Sequence, residues 1–126
     1  MKRKTHILLA VTVFAFLCVA DAHAQKGDST AGGESFATIC ASCHGPTGKG
    51  DGVAAAALEP KPRDLSDAKY LSTLTDEYLF KVITEGGTVV GKAPTMPAWG
   101  GVLGEDGAWN VIAYIRKEIC KCVHAE

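Results

Sequence analysis

Residues 40–44 read Cys40-Ala41-Ser42-Cys43-His44, a C-x-x-C-H run. Two thiols at this spacing can add to the two vinyl groups of one haem, and the histidine that follows is then held against the iron. The same spacing occurs in redox cysteine pairs and in half of a zinc site. A zinc site requires a second ligand pair at workable spacing, whereas the late cysteines, Cys120 and Cys122, have one residue between them. A thioredoxin-like site requires a βαβ pattern nearby, and the sequence carries none. The pentapeptide therefore reads as a covalent attachment site for one haem c, with Cys40 and Cys43 as thioether positions and His44 as an axial iron ligand.

The N-terminus agrees with that chemistry. Lys2, Arg3 and Lys4 precede an apolar run of 14 residues, Ile7 to Ala20, in which Thr12 is the polar exception. Small residues follow as Ala20-Asp21-Ala22 and Ala22-His23-Ala24. This is the arrangement of a secretory signal peptide, and the run is shorter than the ~20 residues of a spanning helix. Residues 1–24 are expected to be removed, with cleavage after Ala22 the near alternative and an uncleaved anchor the remaining one. Cys18, inside the run, goes with them as an ordinary apolar residue. The mature chain, residues 25–126, is then a periplasmic protein with no spanning helix. It forms a single domain ending in a short cysteine-containing tail from about residue 120.

Loss of Lys2, Arg3, Lys4 and Asp21 leaves 10 basic and 13 acidic residues, a formal charge of about −3. Nucleic acid selects a strongly basic surface, so that partner class is set aside.

Ahead of the motif, Asp28, Ser29 and Thr30 can cap a helix running through Gly32, Phe36 and Ile39 into Cys40, with these residues on one face. Gly32 costs roughly 1 kcal/mol there relative to alanine, so either it is tolerated or a second helix packs closely. From Gly45 to Gly52, four glycines in eight residues exclude helix and read as a loop hugging something flat. Val53 to Leu58 allows a helical turn or two before Pro60 and Pro62 enforce extended backbone. Arg63 follows, as a solvated charge or a partner for a haem propionate.

Thr75, Asp76 and Glu77 open a helix with Leu74, Tyr78, Val82 and Ile83 on one face, ended by Gly86-Gly87. Residues 87–101 read as a loop, and a last helix begins near Glu105-Asp106 and shows Trp109, Ile112, Ala113, Ile115 and Arg116, with Tyr114 and Ile119 adding to an amphipathic pattern. No alternating strand pattern is present. The fold class is all-α, with three to five short helices wrapped around one haem.

The second axial ligand is narrowed by elimination. His6, His23 and Met1 fall in the leader, which leaves Met96 and a near-terminal His124. Met96 stands in a proline-bounded loop with no helix face to fill. It is expected to ligate the iron, the alternative being the usual gap-filling role of a methionine. A His/Met pair would raise the potential relative to His/His, because the soft thioether favours ferrous iron.

Across Gly32 to Ile119 the chain resembles class I cytochrome c, the small bacterial single-haem kind. Gly32 and Phe36 stand eight and four residues before Cys40, and Tyr114 lies in an Ala-Tyr-Ile-Arg ending, similar to the family's crossing of first and last helices. Met96-Pro97-Ala98-Trp99-Gly100 resembles its methionine-ligand loop. The resemblance implies a proline carbonyl, from Pro60 or Pro62, holding Nδ1 of His44. Cys120-Lys121-Cys122 is outside the family pattern. In an exported protein these two thiols are expected to pair, with each other in preference to a second chain.

The function these features imply is one-electron transfer between periplasmic or membrane redox partners by a monomeric carrier that is not itself an enzyme. The rivals are an electron-transfer subunit of a periplasmic dehydrogenase or oxidase, and a haem-based ligand sensor.

Overall fold

The computed structural model describes residues 26–124. The leader and both cleavage sites lie outside the described residues. Within them the chain is helical, with no strand. Asp28 caps the first helix, its Oδ1 accepting from the N–H of Thr30 at 2.8 Å and of Ala31 at 3.4 Å. That helix, α1 (Ser29–Ser35), continues without a break through a wider π turn (Phe36–Cys40) into α2 (Ala41–His44), so the C-x-x-C-H run forms the end of one rod.

The glycine loop, expected to hug something flat, contributes no residue to the cavity lined by Cys40, Cys43 and His44. It folds back on the rod and satisfies carbonyls that a helix end leaves unpaired. Gly50 donates to His44 O at 2.7 Å, Gly52 to Cys43 O at 3.1 Å and Ala54 to Ser42 O at 2.9 Å. A Cβ at Gly52 would run into the Ser42 carbonyl, which accounts for glycine there. A single 3-10 turn (Ala55–Ala57) occupies the alanine run. Lys61 Nζ donates to the carbonyls of Ala55 and Ala56 at 2.8 and 2.9 Å, pinning that turn to the proline segment.

Two short helices follow. α3 (Ala68–Leu71), absent from the sequence reading, is capped by Asp67, which accepts from Tyr70 N. α4 (Asp76–Glu85) is capped by Thr75 Oγ1 accepting from Tyr78 N at 3.0 Å, and ends at Gly86 with φ 89°. Its buried residues are Ile83, on the predicted face, and Leu79, one position round from the predicted Tyr78. A 3-10 turn (Gly87–Val90) then leads into the loop that carries Met96.

The last helix, α5 (Gly100–Tyr114), contains a break at Gly104, whose φ 66° and ψ −178° are not helical. The straight helix therefore begins at Glu105, as predicted, and one further turn precedes it. A π turn (Ile115–Ile119) completes the rod. Ala108, Trp109, Val111, Ile112 and Ala113 are all buried and form the centre of the core with Phe36, Leu71, Leu79 and Ile83.

The predicted crossing of first and last helices is present. A Cβ on Gly32 would collide with the main-chain carbonyl of Asn110, so the two backbones touch where glycine alone fits. Phe36 and Tyr114 pack beside the contact with ring centroids 5.4 Å apart. Asp28 N donates to Asn110 Oδ1 at 2.7 Å, locking the register of the crossing.

Among the described residues one charged side chain is buried. Arg116 is 3% exposed, its Nε on Asp76 Oδ1 at 2.8 Å and its two Nη groups on the carbonyls of Leu71 at 2.7 Å and Leu74 at 2.6 Å. A buried guanidinium needs this full set of partners. Beyond it Cys120 and Cys122 are joined as a disulfide, the intramolecular pairing expected from sequence.

Candidate haem-binding site

Every residue singled out from the sequence lines one cavity of about 590 Å³: Cys40, Cys43, His44, Pro60, Pro62, Arg63 and Met96. Phe36, Ile39, Leu71, Leu74, Val82, Trp99 and Val111 are among the side chains that complete an overwhelmingly apolar wall. His124 does not reach it.

Three elements bring these groups together. The rod delivers Cys40, Cys43 and His44 from its last turn, with His44 the final helical residue. Its ring is oriented by a carbonyl, as predicted, although from a different residue. Nδ1 of His44 donates to the main-chain oxygen of Arg63 at 3.1 Å, and neither Pro60 nor Pro62 supplies the acceptor. The prolines bound the cavity and direct the segment, while the oxygen that turns toward the ring comes one residue after Pro62. With Nδ1 carrying the proton, Nε2 keeps its lone pair and is the nitrogen available to a metal.

The Arg63 side chain stacks on the Tyr70 ring with Cζ 4.2 Å from the centroid. Such a cation–π contact holds the guanidinium at the cavity edge.

Met96 is set by main-chain bonds at both ends of its loop. Gly87 N donates to Met96 O at 2.9 Å, Lys92 N to Gly87 O at 2.9 Å, and Trp99 N to Ile83 O at 2.9 Å. Gly86 and Gly87 lie so close to residues 93–98 that a side chain at either would displace the loop. The glycine pair thus stops α4 and admits the methionine loop against its end.

Burial controls the ionisable groups. The Cys40 thiol is pushed up to about 11, first by loss of solvent and then by the neighbouring Cys43. Reactive redox pairs work the opposite way, through depressed thiol pKa values, so the Cys40 thiol is poorly suited to exchange chemistry. Burial also lowers the His44 imidazole below its ordinary value, against the smaller opposing effect of its bond to Arg63. A neutral imidazole is the form that binds a metal. Among the described residues no cluster of three or more His, Cys, Asp or Glu side chains could hold a metal ion by itself. An apolar chamber of cofactor size with two thiols, an imidazole and one thioether on its wall fits haem c.

Arg116 is the residue sequence reasoning passed over. The pattern gives it only a place in an amphipathic helix, yet its guanidinium clamps the carbonyls of Leu71 and Leu74, both on the cavity wall. The available signal was a cation sitting among Ile112, Ile115 and Ile119.

Comparison with known proteins agrees with this geometry. The family model described as "Cytochrome C oxidase, cbb3-type, subunit III" matches residues 27–115. Among solved structures, a chain of the Kuenenia stuttgartiensis reducing HAO-like protein complex superposes with a TM-score of 0.59 at 26% identity, over 73% of this chain and 43% of that one. This chain thus spans less than half the length of that relative. Cytochrome c6 from the diatom Phaeodactylum tricornutum gives 0.53 at 27% identity, covering 74% of this chain and 95% of its own. Cytochrome cL from Hyphomicrobium denitrificans gives 0.52 at 28%, covering 70% and 45%. With the family match extending over most of its length, the chain belongs to the cbb3-type cytochrome c oxidase subunit III family and is a small c-type cytochrome with covalently attached haem c.

Proposed function

We propose that the protein is a periplasmic one-electron carrier in which Cys40 and Cys43 form the thioether bonds and His44 and Met96 are the axial ligands. The observation that carries the reading is the meeting of an oriented imidazole and the thioether of Met96 on the wall of one apolar cavity. When bound, haem c supplies a one-electron iron couple there. The chain's own residues do the rest. The Arg63 carbonyl fixes the His44 ring and makes its Nε2 more basic. With haem bound, Met96 would fill the coordination site that a small molecule would otherwise need, and the main-chain bonds of its loop set its place on the cavity wall. The apolar wall keeps water away, which favours the less charged ferrous state. Arg63 stands at the cavity edge, where its guanidinium can meet a propionate. We assign no catalytic residue and no enzymatic activity.

Met96→Ala tests this assignment. It should leave the haem attached, since Cys40, Cys43 and His44 are untouched, and lower the potential by on the order of 100 mV. The ferric protein should lose its weak long-wavelength sulfur-to-iron band, and the ferrous protein should bind carbon monoxide. Lys92→Ala, on the same cavity edge, should change none of these. An unaltered spectrum and potential in Met96→Ala would transfer the ligand role to another residue.

A second reading has a specific observation behind it. The Kuenenia stuttgartiensis match is a chain of a protein complex and is more than twice as long as the matched region. Stable copurification of a larger redox subunit would make this protein its electron-transfer subunit.

A further inference from the structure

Cys120 and Cys122 lie beyond the haem site and have no part in it. A bridge that closes so small a ring removes little chain entropy, so it contributes little to holding the fold. It also fixes the intervening Lys121 at φ 50°, the left-handed region that a lysine rarely occupies. Opening the bridge would release that conformation.

The two sulfurs differ in surroundings. Cys120 is 5% exposed, and its Sγ is 3.7 Å from Arg116 O and 3.9 Å from Cys122 O. Cys122 is half-buried and faces a surface cleft of about 260 Å³ lined by Arg116, Lys117, Lys121 and Val123. Nη1 of Arg116 lies 3.5 Å from Cys122 Sγ. Cys122 Sγ therefore has one guanidinium beside it and two lysines, Lys117 and Lys121, on the walls of its cleft, with Glu118 3.7 Å from Lys117 Nζ as the counter-charge. A net positive setting of this kind stabilises a thiolate.

We propose that the Cys120–Cys122 bridge is a second redox site, a thiol–disulfide exchange centre whose partner is a protein dithiol entering the Arg116–Lys121 cleft. The partner's thiolate attacks Cys122 Sγ, forming a mixed disulfide and breaking the bond to Cys120. The electron pair goes to the Cys120 sulfur, which takes up a proton, and the Arg116 carbonyl is placed to accept from the resulting thiol. The partner's second thiol loses its proton and attacks its own bridged sulfur. This expels Cys122 as a thiolate beside the Arg116 guanidinium. Two electrons and one proton have then passed from the partner, now a disulfide, to this chain. Lys117 and Lys121 draw the attacking thiolate into the cleft, and Arg116 stabilises the leaving one.

The test uses the mature haem-loaded protein, kept ferrous with ascorbate so that iron takes no electrons from the thiols. Reduced thioredoxin is the probe, and alkylation followed by peptide mass reads the thiols. Two labels should appear, on Cys120 and Cys122, with helix content unchanged. A thioredoxin lacking its resolving cysteine should be trapped on Cys122. Lys117→Glu with Lys121→Glu should slow the exchange by roughly tenfold. A bridge that opens only after the chain unfolds, trapping on Cys120, or a rate indifferent to the charge reversal would overturn the proposal.

Discussion

The helix crossing and the methionine loop are held by opposite means. At the crossing, side chains do the work: Ala108, Val111, Ile112 and Ala113 are at most 1% exposed, and Gly32 brings two backbones into contact. In the loop, Ala93, Thr95 and Met96 are half-buried while Pro94, Pro97 and Ala98 are exposed. Its position is set by main-chain bonds from Gly87, Lys92 and Trp99. Dense packing resists displacement because interiors have almost no slack. A hydrogen-bonded loop over a cavity can take its final order from what it holds. The contrast assigns stability to one side of the molecule and chemistry to the other.

The largest expected effect probes that division directly. Cys40→Ala with Cys43→Ala removes the covalent attachment, and the protein should lose cooperative thermal unfolding by circular dichroism. Residual amide-exchange protection should be confined to residues 29–36 and 105–115. Equal protection in residues 86–99 would break the comparison.

Next in size is Arg116→Met, expected to cost about 3 kcal/mol in chemical denaturation, because Asp76 and two buried carbonyls lose their partner. The ferric spectrum should keep its His/Met character, since no ligand is touched.

Gly32→Ala should cost about 2 kcal/mol through the clash with the Asn110 carbonyl, even though alanine favours helix. Gly101→Ala sharpens the contrast at the small end. Nothing lies within 4 Å of a Cβ there, so stability should change by no more than about 0.5 kcal/mol, and upward. Equal losses at the two glycines would mean that the crossing is not close-packed in solution.

Much of this was legible in the chain. The C-x-x-C-H run, the Asp28 and Thr75 caps and the start at Glu105 are short-range signals, read from spacing, whereas the Gly32–Phe36–Tyr114 crossing came from the resemblance to class I cytochrome c. What escaped had other causes. One turn of helix at Ala68–Leu71 is too short to display a period, although it contributes Leu71, which is completely buried. Arg116 finds partners 40 to 45 residues away, and helical spacing says nothing about such distances. The acceptor for His44 was missed by one residue, because which carbonyl faces the ring depends on how the segment turns after Lys61 is tied to Ala55 and Ala56.

That acceptor carries a consequence for how the protein tolerates change. The Arg63 oxygen belongs to the main chain, so no substitution at position 63 deletes it. The side chain at the cavity edge is thereby uncoupled from the atom that steers the imidazole. Charge presented to a redox partner at that point can be reversed or abolished while the ring stays where it is.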